Sequence, residues 1–198
     1  ISRKMLLGVV DYFDKVFAKI TRVDEVVFLG DIKHSFSGFS GQEREDLGKL
    51  FEYFSRKCDK IVVVRGNHDN FLKFFSEQKK FLLKDWYSVG EFCFFHGDKD
   101  FREIHTRKIK CWVLGHGHPA VKISDGIKTE KYKCFLSGKF KNKKVIVVPS
   151  FFSYSVGSDP LDSDLGLFHK FNLKSFQVFA VQDEENLETL CFGRLGSL

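Results

Sequence analysis

Five side chains of metal-binding type stand where four apolar runs end. "VVFLGD" closes on Asp31, "VVVRGN" on Asn67, "FCFFH" on His96, and "WVLGHGH" on His116 and His118. Asp31 offers two oxygens and can bridge two cations. Asn67 adds a neutral carbonyl oxygen, and the three imidazoles add neutral nitrogens. This mixed set suits Mn²⁺, Fe, Ni²⁺ or Zn²⁺ better than Mg²⁺ alone. Few carboxylates around two divalent ions leave the site net positive, as an anionic substrate requires. Two ions roughly 3.5–4 Å apart would activate a water and hold attacking and leaving oxygens in line.

These residues need scaffolding that brings four turns together. In α/β sheets, ligands gather outside the carboxyl ends of strands. Gly30, Gly66 and Gly115 permit the sharp turns and close backbone approach this calls for. Residues 5–20 carry Leu6, Val9, Val10, Phe13, Val16, Phe17 and Ile20 at helical spacing. "EVVFLGD" reads as a strand and 43–57 as a second helix with Leu47, Leu50, Phe51 and Phe54 on one face. "KIVVVRG" is the next strand, and 70–83 reads as a helix capped by Asp69 or Asn70. "EFCFFHGD" and "CWVLGHGHP" are strands, with a basic helix over 101–110 between them. From residue 119 the pattern turns to short strands: "AVKISDG", "KYKCFLSG", "KKVIVVPSF" and a final pair, "SFQVFAVQ" and "LETLCFG". The alternation predicts α/β with mixed sheet.

The bulk properties narrow the class. A chain of 198 residues that is 43% hydrophobic fits one domain, 1–198. No apolar run approaches the roughly 18 residues that span a bilayer, and no signal-peptide pattern opens the chain. Met5 is the only methionine, so Ile1 is expected to lie inside a longer reading frame. The five cysteines show no C-x-x-C spacing, which argues against a disulfide framework or a zinc ribbon and for a reducing, cytoplasmic location. The net charge of +6 is compatible with a polyanionic partner. "TRKIK" and "GKFKNKK" read more readily as a solvated helix face and a hairpin turn than as a nucleic-acid surface.

GD-x-x-H at 30–34, GNHD at 66–69, HGD at 96–98 and GHGHP at 115–119, in that order and each after a strand, resemble motifs II to V of the calcineurin-like metallophosphoesterases. "GDIKH" is most similar to the archaeal phosphoesterases related to SbcD-type nucleases. The resemblance covers nearly the whole chain. It implies a sandwich of two mixed β-sheets flanked by helices, two divalent metal ions (manganese first) and a phosphate-ester substrate. By motif, Asp31 would bridge the two metals, Asn67, His96 and His116 would complete one site, and His118 would serve the other. His68 would contact the phosphate or protonate the leaving oxygen. Asp69 would orient His68, or else cap the following helix. His34 would be second to the ligands or face substrate, or only pack. Arg65 would reach a phosphate, or be a surface charge. Asp98 would orient His96 or open a turn.

One departure stands out. The family opens with D-x-H on its first strand, and no such motif precedes GD-x-x-H here. That strand and its two ligands are expected upstream of Ile1. Asp11 and Asp14 fall on the polar side of the 5–20 helix and read as a solvated face. The expected activity is hydrolysis of a phosphodiester, in nucleic acid or a nucleotide, by a metal-bound hydroxide attacking phosphorus. The alternatives are a phosphomonoesterase or a non-catalytic metal- or nucleic-acid-binding scaffold.

Overall fold

The valines of 62–64 are fully buried because they form the middle strand of a sheet covered on both faces. The computed structural model describes residues 3–20, 22–32, 41–69, 72, 81–152, 154–162, 166–183 and 186–198. In it β2 (Cys58–Val64) lies between β1 (Val23–Phe28) and β3 (Leu82–Lys84), parallel to both. Side chains alternate faces along the strand. Val63 points to α1 (Arg3–Lys19) and α2 (Gly41–Ser55), among Leu6, Val9, Leu47, Leu50, Phe51 and Phe54. Val64 joins the other core, with Phe95, Leu114 and Leu136. The α2 stripe is therefore buried as its spacing predicts. Each such side chain removed from water is worth roughly 1.5–3 kcal/mol.

The second sheet has eight strands and is mixed. They are β4 (Trp86–Val89), β5 (Phe92–Phe95), β6 (Cys111–Leu114), β7 (Ala120–Ser124), β8 (Thr129–Phe140), β9 (Lys143–Val147), β10 (Gln177–Asp183) and β11 (Glu188–Arg194). Their order is β11-β10-β8-β9-β6-β5-β4, with β7 paired to the first half of β8. The pairs β5–β6 and β6–β9 are parallel, and the other pairs antiparallel. The expected α/β architecture, two sheets with helices outside, is the one the chain adopts. A polar seam joins the sheets: Lys60 of β2 donates to Glu25 of β1 at 3.0 Å and to the Tyr87 hydroxyl of β4 at 2.5 Å. The Tyr87 hydroxyl in turn donates to Glu25 at 2.7 Å.

Three local readings change. Of the helix expected over 70–83, most residues lie outside the described ones, and its end is a strand: Leu82–Lys84 forms β3 against Val62–Val64; a short apolar run does not distinguish a buried strand from a helix. Of the basic helix over 101–110, only a 3₁₀ turn, Arg102–His105, is helical. There the ammonium of Lys143 donates to the carbonyls of Thr106 and Ile109, at 2.8 and 2.7 Å, so those carbonyls bond outside any helix. The hairpin strand β4 has no counterpart in the sequence reading; it borders the large sheet opposite β11. Among the described residues no helix is long and apolar enough to cross a membrane.

Candidate functional site

Parallel pairing places the metal-type residues together. β1 and β2 run side by side, so Asp31 and Asn67 leave the same end of the small sheet. β5 and β6 do the same in the large sheet, delivering His96 and His116. The turns themselves need unusual backbone. Gly30 has φ +85 and Asp31 φ +51, while His116 and His118 have φ +59 and +42. A Cβ on Gly30 would stand 2.6 Å from the Gly66 nitrogen and 2.7 Å from Nδ1 of His96. A Cβ on Gly66 would stand 2.1 Å from Oδ1 of Asp31. Glycine at 30 and 66 is thus required by close approach of the two loops.

Nε2 of His96 is the meeting point. It lies 3.2 Å from Oδ2 of Asp31, 3.2 Å from Oδ1 of Asn67 and 2.9 Å from Nδ1 of His116. The ring is only 2% exposed, and its other nitrogen, Nδ1, lies 2.6 Å from the Leu29 carbonyl. A proton donated there fixes the tautomer and leaves Nε2 to face the cluster. Asp31, His96 and His116 each offer an atom within 4.8 Å of the others, a set that could hold a metal ion. One carboxylate, two imidazoles and the Asn67 oxygen fit a divalent transition ion chemically. The Leu29 carbonyl has no signature in a sequence; only the approach of the β1 end to the β5 end, between the two sheets, identifies it.

The electrostatics follow from this convergence. Burial opposes ionisation of Asp31, but His96 and the His68 amide outweigh it, and the carboxyl is held below its usual range. Burial pushes His96 down, yet Asp31 beside it pushes harder, and the net direction is up. For His116 burial and the neighbouring His96 act together and lower it. Asp98, 12% exposed and 3.8 Å from Lys99, adds negative charge near both rings.

The remaining predicted residues divide. His68 is half-buried; its amide donates to Oδ1 of Asp31 at 3.0 Å, and its Nε2 lies 2.9 Å from the Asn67 amide nitrogen. His118 lines the same cavity, outside the cluster formed by Asp31, His96 and His116. Asp69 is fully buried and does not turn its carboxylate to the His68 ring. Its Oδ2 accepts the amides of Asp31, at 2.6 Å, and of Gly66, at 2.9 Å, while its carbonyl accepts the Leu72 amide. Arg65 pairs with Asp85 at 3.0 Å and is not among the cavity-lining residues. His34 lies outside the described residues. Asp14 accepts the Tyr53 hydroxyl and is not among the cavity-lining residues.

The cavity measures about 750 Å³. Asp31, Asn67, His68, His96, His116, His118 and Lys133 line it. So do Val26, Val27 and Phe28 of β1, whose outer edge has no strand partner among the described residues. Residues 7–178 match the family model for calcineurin-like phosphoesterases. The chain belongs to that family. Hydrolysis of phosphate esters with divalent metal ions is the chemistry the family implies. No curated protein matches the chain. Among solved structures it is similar to a single mutant of Vps29 from Entamoeba histolytica, at 14% identity over 91% of this chain and 89% of that one, with a TM-score of 0.41. A double mutant of the same protein aligns at 12% identity over 98% and 91%, with a TM-score of 0.40.

Proposed function

We propose that this calcineurin-like phosphoesterase hydrolyses a phosphodiester by direct attack of water on phosphorus. The observation that carries the reading is the convergence of Asp31, Asn67 and His116 on Nε2 of His96. These four would hold one divalent ion, manganese being the first candidate, and Asp31 with His118 would contribute to a second. When bound, the ions supply a nucleophilic water at neutral pH and neutralise phosphate charge.

The protein's own groups do the rest. Asp31 raises the basicity of His96, while burial and His96 lower that of His116; each ring would hold an ion through a deprotonated nitrogen. His68 stands beside Asn67 at the cavity wall, where it would contact the phosphate or give a proton to the leaving oxygen. A donor set with one carboxylate, in a chain of net charge +6, supports an anionic ester of the nucleic-acid or nucleotide class.

The test is turnover of bis-p-nitrophenyl phosphate against p-nitrophenyl phosphate with Mn²⁺. A higher kcat/KM for the diester is expected, and a clear monoester preference retires the diester reading. Metal binding without hydrolysis of either ester, with any divalent ion, would instead favour a binding scaffold.

A further inference from the structure

Asp69 carries a cost that packing alone does not explain. Its side chain is 0% exposed, and Oδ1 has no hydrogen-bond partner among the described residues. An apolar residue would fill such a position without the penalty of a buried carboxylate. What the carboxylate gains is two backbone amides on one oxygen. Asp31 lies at the end of β1 and Gly66 at the end of β2, so Oδ2 of Asp69 ties the two loops together. The tie is reciprocal: the Asp31 side chain accepts the amide of His68, one residue before Asp69. Asp31 also has φ +51, directly after Gly30 at φ +85. A left-handed aspartate is strained and persists only where neighbours hold it.

We propose that Asp69 is a positioning residue that sets the divalent-cation affinity of the site by locking the Asp31 backbone, so that Oδ1 stays on the His68 amide and Oδ2 faces His96. This rests on the reading of Asp31 as a metal ligand. It assigns Asp69 to metal binding and not to the orientation of His68.

The experiment compares wild type, Asp69→Asn and Asp69→Ala. Manganese affinity is read by titration calorimetry, kcat at saturating Mn²⁺ on bis-p-nitrophenyl phosphate, and amide hydrogen exchange at Asp31 and Gly66 in metal-free protein. Asp69→Ala is expected to weaken Mn²⁺ binding by about 10- to 100-fold, the range for loss of a group that orients a metal ligand. Asp69→Asn keeps an acceptor oxygen and should lose less. In both, kcat should recover to within about threefold of wild type once Mn²⁺ saturates, because the ligands and His68 remain. Exchange at the Asp31 and Gly66 amides should accelerate in both variants. Wild-type Mn²⁺ affinity in Asp69→Asn together with a kcat that stays low at saturation would overturn the proposal and return Asp69 to His68. If Asp69→Ala does not fold, Asp69→Asn decides alone. If wild type binds no Mn²⁺, the ligand reading of Asp31 fails, and unchanged amide exchange in the variants separately refutes the lock.

Discussion

Nε2 of His96 lies 2.9 Å from Nδ1 of His116, with the two rings edge to face. Two imidazole nitrogens this close need a proton or a cation between them. Asp31 pushes the basicity of His96 up, and burial with the neighbouring His96 pushes that of His116 down. Asp31 balances the charge in either arrangement.

Asp31→Asn should lower metal occupancy. The amide keeps the shape but loses the charge that offsets a cation near two imidazoles. Affinity for Mn²⁺ should drop by at least about tenfold, read as metal per chain by elemental analysis after dialysis. Unchanged metal content would count against the ligand role.

His68→Ala should separate binding from turnover. The imidazole lines the cavity beside Asn67, while Asp31 is contacted through the His68 backbone amide, which alanine retains. Metal content should hold, and kcat should fall by about 10²–10⁴-fold. Loss of metal in this variant would make His68 a ligand.

Gly66→Ala should damage the site without replacing a ligand. The added methyl would sit 2.1 Å from Oδ1 and 2.5 Å from the backbone nitrogen of Asp31. One of those contacts is backbone, so the loops must part. A loss of roughly 1–3 kcal/mol in stability is expected by denaturant titration, with weakened Mn²⁺ binding. Wild-type values for both would show that the loops can shift freely.

The seam between the sheets should respond to acid. The Tyr87 and Lys60 hydrogen bonds lower the Glu25 pKa in the folded protein. A carboxylate lowered on folding stabilises the protein above its unfolded pKa, about 4.3, and loses that contribution as pH falls through the folded value. Glu25→Gln should therefore melt below wild type at pH 7 by only about one or two degrees, since the seam is partly solvated. The gap should close by about pH 3. A gap that widens on acidification would contradict the sign.

Much of this was legible in the chain. The α2 stripe of Leu47, Leu50, Phe51 and Phe54 is the buried face, and the strands ending at Asp31, Asn67, His96 and His116 are present. Helical and alternating spacings are local, and burial respects them. The reading failed where a local pattern was ambiguous or overruled. Leu82-Leu83 suits either a helix or a strand and is drawn into β3 by the exposed edge of β2. Residues 106–110 make a turn in place of a helix, where Lys143, 37 and 34 positions away in sequence, takes the carbonyls of Thr106 and Ile109.

The sequence by itself determined which donor types are available and that each follows a strand, because a turn motif and an apolar run are written in adjacent residues. Only the tertiary structure decided what each carboxylate and ring nitrogen faces. Asp69 turns to the Asp31 and Gly66 amides, Arg65 turns to Asp85, and the Leu29 carbonyl receives Nδ1 of His96. Those partners are set by which strands lie parallel and how closely their ends approach, and that depends on contacts between residues far apart in the chain.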